Sequence, residues 1–440
     1  MKKRLSLLLT FIFVFIFSYP SYGSTILEIQ TESVILIEAE TGKILYEKNA
    51  FQQMFPASTT KILTTLLALE LSDPEEIVSI GREVYTVPLD ASKAGHLPGD
   101  EIVLKDLLMG LLLPSGNDSA LSVATHIARK EKDDPNLPLD QAILYFADYA
   151  NRRAKEMGAK NTHFVNPHGY HDDNHYTTAY DLGMITREAI KNQNFRKMAG
   201  TFTYTVDGQS GKQRAFSWRN RNLLLDTSNE STYYPYATGG KTGFTTPAGE
   251  CLVATAQKDG VDLIAVLLNS PKDERWGEAK LLFEYGFNNF KFHQVVKENE
   301  AVGQILVSKY KPKGPEEVTV IATEGFKDLF NVSDIPKIQQ EIIWDEEKLD
   351  PGLKDETKLL APIEEGQTLG SILYTLEGEN LAKINILASN SVEKRSIWDV
   401  IFSIQAIPFW LGTILGLFIL RFILRLIKLR KRKNRGFRLR

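Results

Sequence analysis

The run PASTTKILTTLLAL, residues 56–69, places a proline at the mouth of an apolar helix and sets a hydroxyl and an amine on its first turn. Ile62, Leu63, Leu66, Leu67 and Leu69 recur at helical spacing, so this helix is expected to pack against a core. Ser58 and Lys61 lie three residues apart, which puts them on one face and within side-chain reach, with the partial positive charge of a helix N-terminus beside Ser58. A serine hydroxyl is a weak nucleophile at neutral pH, and a neutral lysine can activate it where burial or a nearby cation lowers the amine's pKa. The spacing alone decides little: Ser308 to Lys311 and Ser391 to Lys394 repeat it without opening an apolar helix.

Upstream of this helix, Ser33 to Glu38 and Lys43 to Tyr46 flank the turn residues 39–42 and read as a hairpin. Downstream, Val103 to Leu113 and Ala120 to Arg129 read as helices broken at residues 114–117, Pro-Ser-Gly-Asn. Helical periodicity returns over Leu139 to Met157 and Ala179 to Lys191, with a polar loop, Asn166 to Tyr176, between them. Cys251 to Gln257 and Val261 to Leu268 read as strands joined by a hairpin turn at Lys258, Asp259 and Gly260. Strands at both ends with helices between them predict an antiparallel sheet covered by helices, an α/β or α+β domain over residues 24–292. From His293 short β-like runs such as Val318 to Ala322, Gln340 to Trp344 and Ala382 to Ala388 alternate with turns, which predicts a small all-β domain over 293–390.

Both ends carry membrane signals. Lys2, Lys3 and Arg4 precede the apolar run Leu5 to Phe17 and the small residues Ser21 and Gly23, the layout of a signal peptide over residues 1–23. Residues 400–420 contain no charge and span ~31 Å as a helix, enough to cross a bilayer, after a connector at 391–399. Ten Lys and Arg with no acid follow over 421–440, which predicts a cytoplasmic basic tail and a body on the other side of the membrane. Residues 24–399 hold 39 Lys and Arg against 55 Asp and Glu, and so acidic a body excludes nucleic acid as its partner. The one cysteine, Cys251, rules out an internal disulfide and sits in an apolar run that reads as a buried strand.

Two further short motifs follow Ser58 in the chain. Residues 115–117 are the only Ser-x-Asn, and Lys241, Thr242 and Gly243 form the only Lys-Thr-Gly. Together with Ser58 and Lys61 they resemble the penicillin-binding active-site serine enzymes, and most closely the serine-type D-Ala-D-Ala carboxypeptidases, the low-molecular-mass penicillin-binding proteins. Residues 166–170 (NPHGY), 176–179 (YTTA), 220–224 (NRNLL), 249–256 and 278–287 share in the resemblance. It continues through 361–363 (API) and 366–373 of the β-rich domain.

The resemblance implies a β-lactamase/transpeptidase-like fold and a cofactor-free, metal-free acyl transfer. Ser58 would attack the peptide bond between two terminal D-alanines of a peptidoglycan stem peptide, and β-lactam antibiotics would acylate the same hydroxyl. Lys61 would take the proton, and Ser115, between Lys61 and Lys241, would pass one to the leaving amine. Asn117 would bind the substrate amide, while Lys241 and Thr242 would hold the terminal carboxylate, with Arg221 and Arg275 at positions associated with carboxylate recognition. The backbone N–H groups of Ser58 and Phe244, the latter just past Gly243, would form the oxyanion hole. The C-terminal helix would tether the enzyme to the membrane.

Three rival readings compete with this one. A β-lactamase would need a deacylating glutamate, for which Glu188 with Asn192 is the nearest candidate, in a helix that reads as structural; Gly116 also stands where class A β-lactamases have Asp. Zinc chemistry could use His163, His168, His171, His175, Asp172 and Asp173, but they fall in what reads as a solvated loop without a His-Glu-x-x-His helix. A catalytically silent envelope module would not need all four reactive side chains.

Overall fold

The structure is a computed structural model that describes residues 27–208, 214–353 and 357–436. The signal-peptide expectation at 1–23 lies outside the described residues. The chain divides into two compact units, one ending at Asn289 and the other starting at Phe290.

In the first unit the predicted hairpin forms β1 (Ser33–Glu38) and β2 (Ile44–Lys48). The proline-led run folds as a 3-10 turn, Ala57–Thr60, that passes directly into α1 (Lys61–Leu71). A short pair, β3 (Ile77–Ser79) and β4 (Glu101–Val103), leads into α2 (Leu104–Leu112) and α3 (Asn117–Glu131), broken where the turn residues fall. Helices α4 (Leu139–Glu156), α5 (Ala179–Ala189) and α6 (Gln193–Ala199) follow, then a hairpin of β5 (Thr203–Val206) and β6 (Phe216–Arg219). Strands β7 (Ala237–Thr245), β8 (Gly249–Lys258) and β9 (Val261–Ser270) and the helix α7 (Glu274–Asn289) close the unit.

The main sheet is antiparallel with order β2-β1-β9-β8-β7. Helix α7 packs on β8, β9 and β1, while α5 and α1 also pack on this sheet. Covered strands read as apolar runs instead of alternating ones, and 252–256 of β8 and 263–268 of β9 are buried throughout. Their connection at Asp259 (φ 50°) and Gly260 (φ 80°) uses two left-handed residues, as a tight hairpin requires.

Three elements differ from the expectation. β7 was not anticipated as a strand, because its sequence ATGGKTGFT carries three glycines and no apolar alternation; pairing with β8 holds it extended at the sheet's edge. The loop 166–176 is not simply solvated, since His168 and His175 are buried. The segment 400–420 is not one helix: Ser396 and Asp399 cap a short α8 (Ile397–Ile401), the chain turns at 402–406, and α9 (Ile407–Gly436) starts with Pro408 in its first turn. A proline there lacks only an N–H that would have no helical partner, so a fresh helix begins at that point.

The second unit is β-rich. It contains a pair, β10 (Phe290–Val296) with β13 (Phe326–Asn331), and a six-stranded sheet. That sheet joins β11 (Ala301–Ser308), β12 (Glu317–Ala322), β14 (Gln339–Trp344), β15 (Leu359–Leu360), β16 (Thr368–Leu376) and β17 (Glu379–Ala388). It extends past the expected end at Asn390, because Val392 bridges to Ile363 and Lys394 to Tyr310, and Val392 is buried in the core. Within α9, Ile407–Lys431 is long and apolar enough to cross a membrane.

Candidate active site

Pro56 and the 3-10 turn deliver Ser58 to the mouth of α1, and the next turn buries Lys61 completely. Ala57 takes a left-handed φ of 48°, a conformation that costs a non-glycine residue about 1 kcal/mol and must be held by its surroundings. Two glycines hold it. A Cβ at Gly169 (φ 78°) would sit 1.8 Å from the Ala57 carbonyl oxygen, and one at Gly243 would sit 3.0 Å from Ser58 N, Pro56 O and the Ala57 Cβ. The turn is thus clamped between the loop 166–170 on one side and the edge strand β7 on the other.

His175, which the sequence offers only as a zinc candidate, fixes the turn. Its Nδ1 accepts from Val165 N at 3.1 Å, so Nε2 carries the proton and donates to Thr60 Oγ1 at 2.8 Å, and Thr60 Oγ1 donates to Ala57 O at 2.9 Å. Burial depresses the His175 pKa to about 3, which keeps this chain of donors in one direction at physiological pH.

Lys61 Nζ has three oxygen neighbours: Ser58 Oγ at 2.9 Å, Asn117 Oδ1 at 2.6 Å and the His168 carbonyl at 2.8 Å. A neutral amine has two N–H groups and one lone pair. The two carbonyl oxygens accept the N–H groups, which leaves the lone pair for the Ser58 hydroxyl proton. Burial holds the Lys61 pKa well below the ordinary lysine value, and the positive charges of Lys241 and Arg221 lower it further, against an opposing pull from Asp118. The role of His168 is carried by its backbone, a contribution that residue types cannot signal; the Pro-His-Gly run at 167–169 was visible only as a resemblance.

Residues 115–117 form the opposite wall. Asn117 opens α3, its N–H donating to Ser92 O at 2.9 Å, while the Asp118 carboxylate accepts from Ala94, Gly95 and His96 N at 2.7 to 3.0 Å. Gly116 has no room for a side chain, since a Cβ would meet Gly110 O at 2.7 Å. Ser115 adopts φ 66°, and its buried hydroxyl has no hydrogen-bond partner. The expected contacts from Ser115 to Lys61 and Lys241 are therefore not made in the free protein.

Along β7, Lys241 is 1% exposed and donates to Thr242 O at 2.9 Å, so its ammonium lies beneath the cleft floor while Thr242 reaches the cleft itself. Burial first, then Arg221 and Arg275, lower the Lys241 pKa to about 7. The cleft, about 450 Å³, is lined by Ser58, Ser115, Asn117, Arg221, Thr242, Gly243, Phe244 and Arg275. Arg275 approaches Gly243 O at 3.5 Å and Glu250 at 3.5 Å. Ten site positions were expected from the sequence; eight line this cleft, and Lys61 and Lys241 lie buried behind it. Glu188 is elsewhere, paired with Lys191 at 2.6 Å, and Asn192 caps α6.

With this geometry in place, comparison with known proteins is decisive. Residues 21–272 match the model of the D-alanyl-D-alanine carboxypeptidase family, and residues 290–394 match that of the penicillin-binding protein 5 C-terminal domain. The chain is 30% identical to D-alanyl-D-alanine carboxypeptidase DacF of Bacillus subtilis, over 90% of this chain and 95% of that one. It is 26% identical to DacC of Escherichia coli, over 86% and 89% of the two chains. Penicillin-binding protein 5 from Haemophilus influenzae aligns with TM-score 0.58 at 26% identity, covering 84% of this chain and all of that one. The Streptomyces K15 DD-transpeptidase aligns with TM-score 0.54 at 32% identity, over 59% and 98%. A hydroxyl beside a buried amine of lowered pKa, in a chain that matches the family model over residues 21–272 and the DacF relative over 90% of its length, makes this a member of the D-alanyl-D-alanine carboxypeptidase family of low-molecular-mass penicillin-binding proteins.

Proposed function

We propose that the chain removes the terminal D-alanine from peptidoglycan stem peptides through a covalent acyl-enzyme on Ser58. The observation that carries this reading is the 2.9 Å contact between Ser58 Oγ and a fully buried Lys61 amine whose other two neighbours are carbonyl oxygens. Ser58 Oγ attacks the carbonyl of the penultimate D-alanine while its proton moves to Lys61 Nζ. The resulting oxyanion accepts from the N–H groups of Ser58 and Phe244, a reading supported by the close approach of Gly243 to Ser58 N. Collapse breaks the C–N bond, and the leaving amine takes the Lys61 proton through the Ser115 hydroxyl, which is free of other partners. Water then attacks the ester, with Lys61 again accepting the proton, and Ser58 is regenerated.

Thr242 binds the substrate's terminal carboxylate at the cleft surface. Lys241 contributes positive charge from beneath, and Arg221 and Arg275 add theirs at the rim. The Asn117 amide spans Lys61 and the substrate: Oδ1 holds the base, and Nδ2 donates to a substrate carbonyl. A β-lactam presents a strained amide and a carboxylate to the same groups and is trapped on Ser58. Helix α9 anchors the enzyme with the carboxypeptidase unit outside and the tail in the cytoplasm, an orientation supported by the ten Lys and Arg over residues 421–440.

Mass spectrometry after penicillin exposure tests the proposal. Wild type is expected to gain one adduct, mapped to the peptide containing Ser58, and Ser58→Ala none. Adduct formation at another residue, or D-alanine release by folded Ser58→Ala, would overturn it.

A further inference from the structure

Arg275 occupies a place that helix electrostatics disfavour. It lies in the first turn of α7, where the unpaired backbone N–H groups repel a cation, and its side chain is only 14% exposed. Such a placement needs a close partner. Its polar contacts are loose: Nη1 reaches Gly243 O at 3.5 Å, the outer limit of a hydrogen bond, and Nε lies 3.5 Å from Glu250 without making one. The Glu250 carboxylate accepts from Asp273 N at 2.9 Å, which fastens the turn ahead of α7.

The close partner is aromatic. The guanidinium carbon of Arg275 stands 4.6 Å from the centroid of the Trp276 ring, within the ~6 Å reach of a cation–π contact. Trp276 is 5% exposed, so packing fixes the ring before any ligand arrives. Arg275 borders two spaces, the cleft that holds Ser58 and a neighbouring hollow shared with Arg219 and Asp226. Trp276 lines the hollow and not the cleft, so its ring backs the guanidinium from outside the substrate's path.

On the carboxypeptidase reading above, Arg275 adds positive charge at the rim where the substrate's terminal carboxylate binds. We propose that Trp276 is the positioning residue for that arginine, holding the guanidinium face-on so that its free N–H groups meet the carboxylate edge-on. A guanidinium carries its five N–H donors in one plane, so stacking one face sets the direction of all five and leaves the edge to the ligand. Trp276 acts through Arg275 and touches no reacting atom.

The test uses the full-length chain with benzylpenicillin and its methyl ester, which differ only in the free carboxylate. The acid-to-ester ratio of Ser58 acylation rates then reports carboxylate recognition. Both rates are read on one preparation, so the ratio is independent of the folded fraction. Trp276→Met fills the site without a ring and should lower the ratio about five-fold while the ester rate is retained, the size of effect expected of one partly exposed cation–π contact. Trp276→Phe keeps an aromatic face and should restore most of the ratio. In an Arg275→Ala background the ratio starts low, and adding Trp276→Met should change it less than about two-fold, because a residue that acts through Arg275 has nothing left to position. A ratio unchanged in Trp276→Met, a phenylalanine variant no better than the methionine one, or an equal fall in the Arg275→Ala background overturns the positioning role alone. Absence of a penicillin adduct on wild-type Ser58 overturns the reaction reading and the positioning role with it.

Discussion

Asn117 Oδ1 accepts a hydrogen bond from Lys61 Nζ at 2.6 Å, so the side chain expected to bind substrate also holds the base. Asn117→Ala should remove both contributions and slow acylation by penicillin about 100-fold, comparable to deleting one aimed donor from an acyl-transfer site. Asn117→Asp should act differently. A carboxylate at that distance stabilises the Lys61 ammonium and raises its pKa, so less of the base is neutral at pH 7 and the rate should recover as pH rises. Stopped-flow acylation of both variants against pH separates the two effects; recovery in the alanine variant would contradict the assignment.

The two lysines should appear as opposite limbs of one pH profile. With Lys61 as the neutral base of the proposed mechanism, kcat/KM should rise as it loses its proton, at a pH well below the ordinary lysine range. With Lys241 as the cation of that mechanism, kcat/KM should fall as it deprotonates, near pH 7. Lys241→Arg keeps its charge throughout this range and should abolish the alkaline limb while leaving the acid limb in place. Persistence of the alkaline limb in that variant would assign it to another group.

The glycine clamp makes a graded prediction. Gly243→Ala places a Cβ 3.0 Å from Ser58 N, a contact that tenths of an ångström can relieve, so the protein should fold while acylation slows about ten-fold or more as the two oxyanion donors separate. Gly169→Ala places a Cβ 1.8 Å from a backbone oxygen and demands φ 78° of a non-glycine residue, so it should lose about 2–4 kcal/mol of stability. Urea unfolding and penicillin binding, measured together, distinguish a displaced strand from a lost fold.

These clamps mark where sequence reading stops. Helix α1 and the β8–β9 hairpin were legible because local periodicity and the Lys258 to Gly260 turn agree with the tertiary structure. β7 was not, because residues 237–245 have the propensity of a loop; what makes them a strand is the ladder to β8, and what requires glycine at 243 is a turn almost 200 residues earlier. Lys61, Ser115 and Lys241 were recoverable as side-chain motifs. The His168 carbonyl and the His175 to Thr60 relay were not, since one acts through backbone and the other is defined only by partners brought close in the fold.

The end of the β-rich unit predicts which truncation yields a soluble enzyme. A chain stopped after Arg395 loses α8 and α9 but keeps the Val392 to Ile363 and Lys394 to Tyr310 bridges. It should leave the membrane fraction without detergent and retain its penicillin adduct. Stopping after Asn390 strips the buried Val392 from the second core and should cost that unit about 1.5–3 kcal/mol. Calorimetry on the two truncations should show the lower transition only in the shorter chain.

Ser115 offers the sharpest separation of function from stability. Its buried hydroxyl has no partner in the free enzyme, so Ser115→Ala deletes an uncompensated polar group and should gain about 1 kcal/mol, even though φ 66° remains unfavourable for alanine too. Ser115→Gly relieves the backbone as well and should gain at least as much. Both should fail at the proton delivery assigned to Ser115, slowing D-alanine release about 100-fold, the range expected for removal of a positioned acid or base. Higher melting temperature with lost turnover would show that the orphan hydroxyl is kept for the reaction. A variant that is both less stable and inactive would instead give the hydroxyl a structural partner, and the proton route to the leaving amine would need another carrier.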